Sequence, residues 1–213
     1  MSAITDCTIK VMEAVKKSPV LIYTEQTPNP ESLKFVTNRM LYPSNTADFR
    51  EEALAHEWSP MASELFGLPF VNGVYITNNF VTVTKEMNYK WEDIMLNLKQ
   101  FVKTYVESGK EIVKDGFEAA KAEIEKENIQ SYDGDDAEIV VQIKELIDTY
   151  VKPAVEMDGG NIEFQAYNQG TVTVLLQGSC SGCPSATVTL KSGIEGMLKR
   201  MVPQVKEVVA EMG

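Results

Sequence analysis

Cysteine, histidine and tryptophan are scarce in this chain: three, one and two among 213 residues. The three cysteines, at positions 7, 180 and 183, are too few and odd in number for a disulfide framework. The Cys180-x-x-Cys183 spacing suggests a reducing compartment. The lone histidine, His56, sits in Glu52-Ala53-Leu54-Ala55-His56-Glu57, on an expected helix, where it reads as a surface or packing residue. No apolar run approaches the roughly 18 residues of a membrane span. Basic residues are in deficit, 20 Lys and Arg against 31 Asp and Glu, for a net charge of −11. That deficit excludes a general nucleic-acid binder, which needs a basic face to neutralise phosphates. It also excludes an anionic membrane surface as partner. The first eighteen residues lack the apolar core of a signal peptide and contain no Arg, so the chain is expected to be cytoplasmic.

What is present is ordinary globular material: 44% hydrophobic and 24% charged residues, in a length that suits one or two domains. The charge is uneven. Residues 108–136 carry a net −5 and end in Ser131-Tyr132-Asp133-Gly134-Asp135-Asp136, which reads as a solvated turn and not as a calcium loop, since it lacks the spaced ligands and terminal Glu. The expected division is a tail over 1–18, a first domain over 19–107, an acidic, partly helical linker over 108–136, and a second domain over 137–213.

In the first domain, Val20-Leu21-Ile22-Tyr23 predicts a strand, broken by Thr27-Pro28-Asn29-Pro30 because each proline lacks an amide donor. Leu33-Lys34-Phe35-Val36 resumes an extended pattern. Ser59-Pro60 predicts an N-cap followed by proline at the first helical position, with Gly67 ending that helix. Val74 to Thr77 and Phe80 to Val83 flank Asn78-Asn79 as a hairpin. Trp91, Ile94, Met95, Leu98, Phe101, Val102 and Tyr105 form a helical stripe that should cover the sheet. Beyond Gly109, Val113, Phe117, Ala120 and Ile124 predict one face of a charged helix, followed by a flexible stretch near 129–136.

The second domain predicts helix, strand, strand, helix, strand. Ile139, Ile143, Leu146, Ile147, Tyr150 and Val151 make the first helical stripe. Met157-Asp158-Gly159-Gly160 is a sharp turn. Ile162, Phe164 and Ala166, then Val172, Val174 and Leu176, alternate as a hairpin. Leu190, Ile194, Met197, Leu198 and Met201 make the second helix, and Val205 to Val209 a last strand. The fold class expected for the whole is α+β.

Cys180 and Cys183 fall between a strand end and a helix start. Pro184 suits the first helical residue, so both sulfurs sit near a helix N-terminus, where free amides and partial positive charge favour thiolate. Gly178 and Gly182 keep the loop small, and the Gly and Ser neighbours suggest exposure. Three chemistries fit: thiol–disulfide exchange, a zinc half-site or an iron–sulfur half-site. One chain cannot complete a four-ligand site from a single domain, because Cys7 lies in the tail and His56 in the other domain. Two copies can, giving Cys₄, the usual ligand set of [2Fe–2S] and [4Fe–4S] clusters. A dithiol oxidoreductase needs only one chain, but the elements before the motif are a hairpin and not a thioredoxin-like crossover. A zinc-bridged dimer is the third reading.

Met157-Asp158-Gly159-Gly160-Asn161-Ile162, then Leu176-Gln177-Gly178-Ser179-Cys180-Ser181-Gly182-Cys183-Pro184-Ser185, then Thr189-Leu190-Lys191-Ser192-Gly193-Ile194-Glu195, resemble the C-terminal domain of NifU, the domain that defines the Nfu-type iron–sulfur carriers. Thr27-Pro28-Asn29-Pro30 with Ser32-Leu33-Lys34-Phe35, and the stretch Leu65 to Val74, resemble the Nfu N-terminal domain. The resemblance implies a non-enzymatic scaffold or carrier that holds a [4Fe–4S] cluster, with [2Fe–2S] as alternative, through Cys180 and Cys183 of two protomers. It implies a homodimer bridged by the cluster, apo iron–sulfur clients as acceptors and an upstream assembly scaffold as donor. Asp158, Gly159 and Gly160 carry over as part of the motif: the glycines are expected to shape the turn and Asp158 to cap or orient the cysteine loop. The N-terminal domain, without cysteine over 19–107, is expected to bind clients or place the carrier domain.

Overall fold

A computed structural model of the chain describes residues 19–128, 132, 134–181 and 184–212. Five strands form an antiparallel sheet: β1 (Ile22–Gln26), β2 (Ser32–Thr37), β3 (Tyr42–Phe49), β4 (Val71–Asn78) and β5 (Phe80–Lys85), in the order β1-β2-β5-β4-β3. Side chains alternate across a strand, and the register stacks the alternation into rows. Phe35, Val81, Ile76 and Ala47 make one row, and Leu33, Val83, Val74 and Phe49 the next but one. Both rows face the first hydrophobic core.

Two short helices, α1 (Glu52–Trp58) and α2 (Pro60–Phe66), and the long α3 (Trp91–Ser108) complete that core. The expected cap is present: Ser59 Oγ accepts from the Ala62 amide at 3.1 Å, with Pro60 opening α2. Ile94, Leu98, Val102 and Tyr105 are the buried stripe of α3, whereas Met95 of the expected stripe is exposed. The Asn78-Asn79 hairpin forms, with Asn78 at φ +35°. Strand β3, which carries Pro43, has no counterpart among the expected elements. It runs at the sheet edge, where proline costs no ladder hydrogen bond.

The segment after Gly109 is packed, not merely solvated. Val113 and Phe117 are buried in the first core, and the Phe117 ring lies 5.5 Å from that of Phe49. The helix itself, α4 (Phe117–Asn128), begins at Phe117, so Val113 joins the core from a turn. Asp133 and residues 129–131 lie outside the described residues. The stretch expected to be flexible to 136 is instead helical from Asp135, where α5 (Asp135–Leu146) starts.

The second unit follows the expected order. α5 runs through a π-helical turn, Ile147–Val151, into α6 (Lys152–Met157). Pro153 has no amide to donate, and the helix widens just before it. Strands β6 (Gly160–Asn168) and β7 (Thr171–Gly178) pair antiparallel; helix α7 (Pro184–Met201) then leads to β8 (Glu207–Met212), which pairs parallel to β7. The last strand starts later than expected, because Val205 bonds back to Val202 in a turn. Ile143, Ile147, Ile162, Val172, Val174, Leu176, Leu198 and Val208 make the second core, while Tyr150 of the expected stripe is exposed.

Candidate metal centre

Strand β7 ends at Gly178, and Ser179, Cys180 and Ser181 follow it toward the start of α7 at Pro184. Cys183 and Gly182 lie outside the described residues, as does Cys7. Cys180 is therefore placed where the sequence put it, between a strand end and a helix N-terminus. It is not exposed as its Gly and Ser neighbours suggested: 6% of its surface is accessible. Small neighbours here allow close approach of backbone.

The Met157-to-Gly160 turn cradles the loop through its backbone. Ser179 Oγ donates to Asp158 O at 2.6 Å, and the Ser179 amide donates to Gly159 O at 3.2 Å. The part expected of Asp158 is thus carried by its carbonyl. Gly159 stands at φ +82°, a conformation that suits glycine. Gly160 pairs with Gly178 across the hairpin, and a Cβ on Gly160 would lie 2.6 Å from Gln177 O and 2.9 Å from Cys180 Sγ. Beneath the loop, Asn161 Nδ2 donates to Gln177 Oε1 at 2.9 Å and to Glu163 Oε1 at 3.0 Å. A groove of about 390 Å³ opens at the loop, lined by Pro28, Val155, Asp158, Ser179, Cys180, Thr189 and Leu190.

Pro28 belongs to the first unit, and it is not alone. Asn29 Nδ2 donates to Ser181 O at 3.4 Å, Lys34 Nζ to Met157 O at 3.2 Å, Thr82 Oγ1 to Gly159 O at 2.9 Å and the Arg50 guanidinium to Gly178 O at 2.6 Å. The Gly178 amide donates to Asp48 Oδ2 at 3.2 Å, and Asp48 also accepts from Arg50 Nε at 3.2 Å. Burial pushes the Asp48 carboxyl above its ordinary range, against the opposing pull of Arg50 and the Gly178 amide. Burial likewise raises the Tyr75 phenol, helped by the nearby Asp48 charge. Of the first unit's residues here, the sequence marks Pro28 and Asn29 as a strand break, Lys34 as part of a strand and all three as part of the family resemblance, but gives none of them a place beside Cys180. The available signal was polar residues at strand positions, Lys34 and Thr82, but nothing in the chain says what covers them.

His56 is exposed on α1, with Nδ1 3.0 Å from Ser63 Oγ of α2, and is not among the residues lining the Cys180 groove. Among the described residues no three His, Cys, Asp or Glu side chains gather as a metal site.

Residues 143–209 match the NifU-like domain, and residues 22–109 match the family described as scaffold protein Nfu/NifU N terminal. Among curated proteins, the NFU1 iron-sulfur cluster scaffold homolog, mitochondrial, of Drosophila willistoni is 39% identical over 205 residues, 96% of this chain and 68% of that protein. Its namesake in Drosophila virilis is 38% identical over 202 residues, 94% of this chain and 65% of that protein. The solution structure of a NifU-like protein from Saccharomyces cerevisiae matches at 24% identity, over 46% of this chain and 87% of that one, with a TM-score of 0.41. The relatives' names place those proteins in mitochondria, which overturns the cytoplasmic expectation. That expectation rested on the composition of residues 1–18, and an address read by receptors is poorly encoded in composition.

Proposed function

We propose that this chain, which belongs to the family of NFU1 iron–sulfur cluster scaffold homologs, is a carrier whose cargo is a [4Fe–4S] cluster held between two protomers. Cys180 and Cys183 of each chain are the ligands, four thiolates in all, the usual complement of such clusters. The observation that carries the reading is the position of Cys180. It follows a strand end, precedes the N-terminus of an 18-residue helix, and rests on a turn whose Gly160 brings backbone against the sulfur where any side chain would collide with it. The chain is not an enzyme in this reading. It accepts a cluster from an upstream scaffold and passes it to apo-proteins, whose thiolates displace Cys180 and Cys183 one at a time. The alternative cargo is [2Fe–2S]. Residues 19–107 and 137–213 act as separate domains, the first placing the second, with 108–136 between them.

The test is anaerobic reconstitution with iron and sulfide, read by absorption, iron and sulfide analysis and solution mass. The carrier reading expects about four irons and four sulfides per two chains and a doubled mass. Cys180→Ser and Cys183→Ser are each expected to abolish uptake, with circular dichroism unchanged, and Cys7→Ser to leave uptake intact. A full cluster on Cys180→Ser would overturn the ligand assignment, and one zinc per two chains without iron uptake would replace the cluster by a structural metal.

A second reading, dithiol–disulfide exchange by the same pair, is favoured by one observation. β7, α7 and β8 form a strand–helix–strand unit with β7 and β8 parallel, and the motif sits at its first turn. A monomer that takes up no iron and turns over disulfide substrates would select it.

A further inference from the structure

Strand register brings Glu25, Lys34, Thr82, Tyr75 and Asp48 into one row across all five strands of the first sheet. The row faces away from the first core. Such a face of an antiparallel sheet ordinarily meets water, yet Tyr75 and Thr82 are each 1% exposed. The cover is the Met157-to-Gly160 turn and the end of β7, on which the cysteine loop rests. Lys34, paired with Glu25 at 3.0 Å, reaches Met157 O; Thr82 reaches Gly159 O; Asp48 takes the Gly178 amide. All three reach main-chain atoms, so the row reads a backbone shape that glycine makes accessible. A Cβ on Gly159 would stand 3.0 Å from Thr82 Oγ1, and one on Gly178 3.0 Å from Tyr75 Cδ1.

We propose that this row is a releasable latch, which holds the Cys180 loop closed in the single chain and lets go before that loop meets a second copy. The purpose of release rests on the two-chain carrier reading; the docking stands on the geometry alone. Closure and sharing compete for one surface, because Pro28 walls the Cys180 groove and Asn29 holds Ser181 O. Release separates no apolar side chains of one core from those of the other, since the two clusters are distinct; Cys180 packs at the edge of the second cluster and also lines the groove that Pro28 walls. The contact itself is mostly polar: Val36, Tyr75 and Phe80 are the apolar cluster on this face. Hydrogen bonds to main chain exchange for bonds to water on release, so each contributes far less than its gross strength. Asp48 is desolvated by docking, and its Oδ1 has no hydrogen-bond partner among the described residues. By linkage, a cluster that binds only the released form weakens docking by the same factor that docking weakens cluster binding.

The test uses the full chain carrying Cys7→Ser and Cys183→Ser, which leaves Cys180 as the one thiol of the three. Two disruptions are compared with this parent: Thr82→Arg, and Asp48→Ala with Arg50→Ala, while Thr82→Ser keeps the hydroxyl. Both disruptions are expected to raise the rate of Cys180 alkylation by iodoacetamide about tenfold or more. They are also expected to raise the X-ray scattering radius of gyration above the roughly 17 Å of a compact chain of 213 residues. Thr82→Ser is expected to match the parent. Parent rate and parent radius in either disruption, with Trp58 and Trp91 fluorescence native, would overturn the latch. Reconstitution of the same substitutions with all cysteines restored is read separately. Absence of cluster in every form, alongside faster alkylation, would sink the carrier reading and leave the latch standing.

Discussion

Gly160 is the residue whose replacement the site tolerates least. Its Cα faces both the Gln177 carbonyl and the Cys180 sulfur, and the nearest atom to an added Cβ is main chain, which has no rotamer to escape into. Gly160→Ala is therefore expected to cost about 1–3 kcal/mol, measured as a lower urea midpoint. Asp48 has a different signature. Its folded pKa is raised by burial, with Arg50 and Lys121 pulling the other way and the Gly178 amide bonded to it. The folded state thus binds the proton more tightly than the unfolded chain. Stability contributed by this group is fully present below the ordinary Asp value of about 4 and declines as pH rises through the folded value. The expected observation is a urea midpoint with a declining component over that window, absent in Asp48→Asn. Asp48 does not announce itself in the chain, and Gly160 does so only as part of a turn. The Asp158-Gly159-Gly160 motif was visible as a turn, but the identity of the atoms packed against its second glycine was not.

At the scale of elements, local chemistry and tertiary support coincide at Ser59. Its Oγ caps α2 through the Ala62 amide and donates to Ile112 O at 2.6 Å, tying the helix start to the segment beyond α3. Ser59→Ala loses both, and the residue is fully buried. A loss of about 1–2 kcal/mol is expected, seen as a lower thermal midpoint in the fluorescence of the adjacent Trp58. The cap was legible in Ser59-Pro60 because capping depends on neighbours in sequence. So were β2, the Asn78-Asn79 hairpin, α3 and the order of the second unit, all carried by periodicity. Strand β3 was not, because its hydrogen bonds come from β4, some thirty residues on, through pairs such as Asp48 with Tyr75. Nor was the parallel pairing of β8 with β7, since nothing local distinguishes a strand that returns parallel.

For the molecule as a whole, two cores joined by a polar contact should respond separately to damage. Ile143 is fully buried in the second core, and both tryptophans belong to the first unit. Ile143→Ala is expected to destabilise the second unit by about 2–5 kcal/mol. The midpoint followed by far-ultraviolet dichroism should fall, because it includes the second unit, and that followed by tryptophan fluorescence should shift much less. A single transition moving equally by both probes would show that the contact between the units couples them fully.

The sequence by itself determined the α+β class, the order of elements around Cys180, the helix cap at Ser59 and the Cys180-x-x-Cys183 spacing, because each depends on residues within a turn or a strand of one another. Tertiary structure decided how accessible Cys180 is and what lies against it. Lys34, Asp48, Tyr75 and Thr82 come from four different strands, and their common row exists only once register is set. Alternation along each strand told which side chains leave the first core; only the second unit, folding its glycine turn onto them, turned that outer face into an interface.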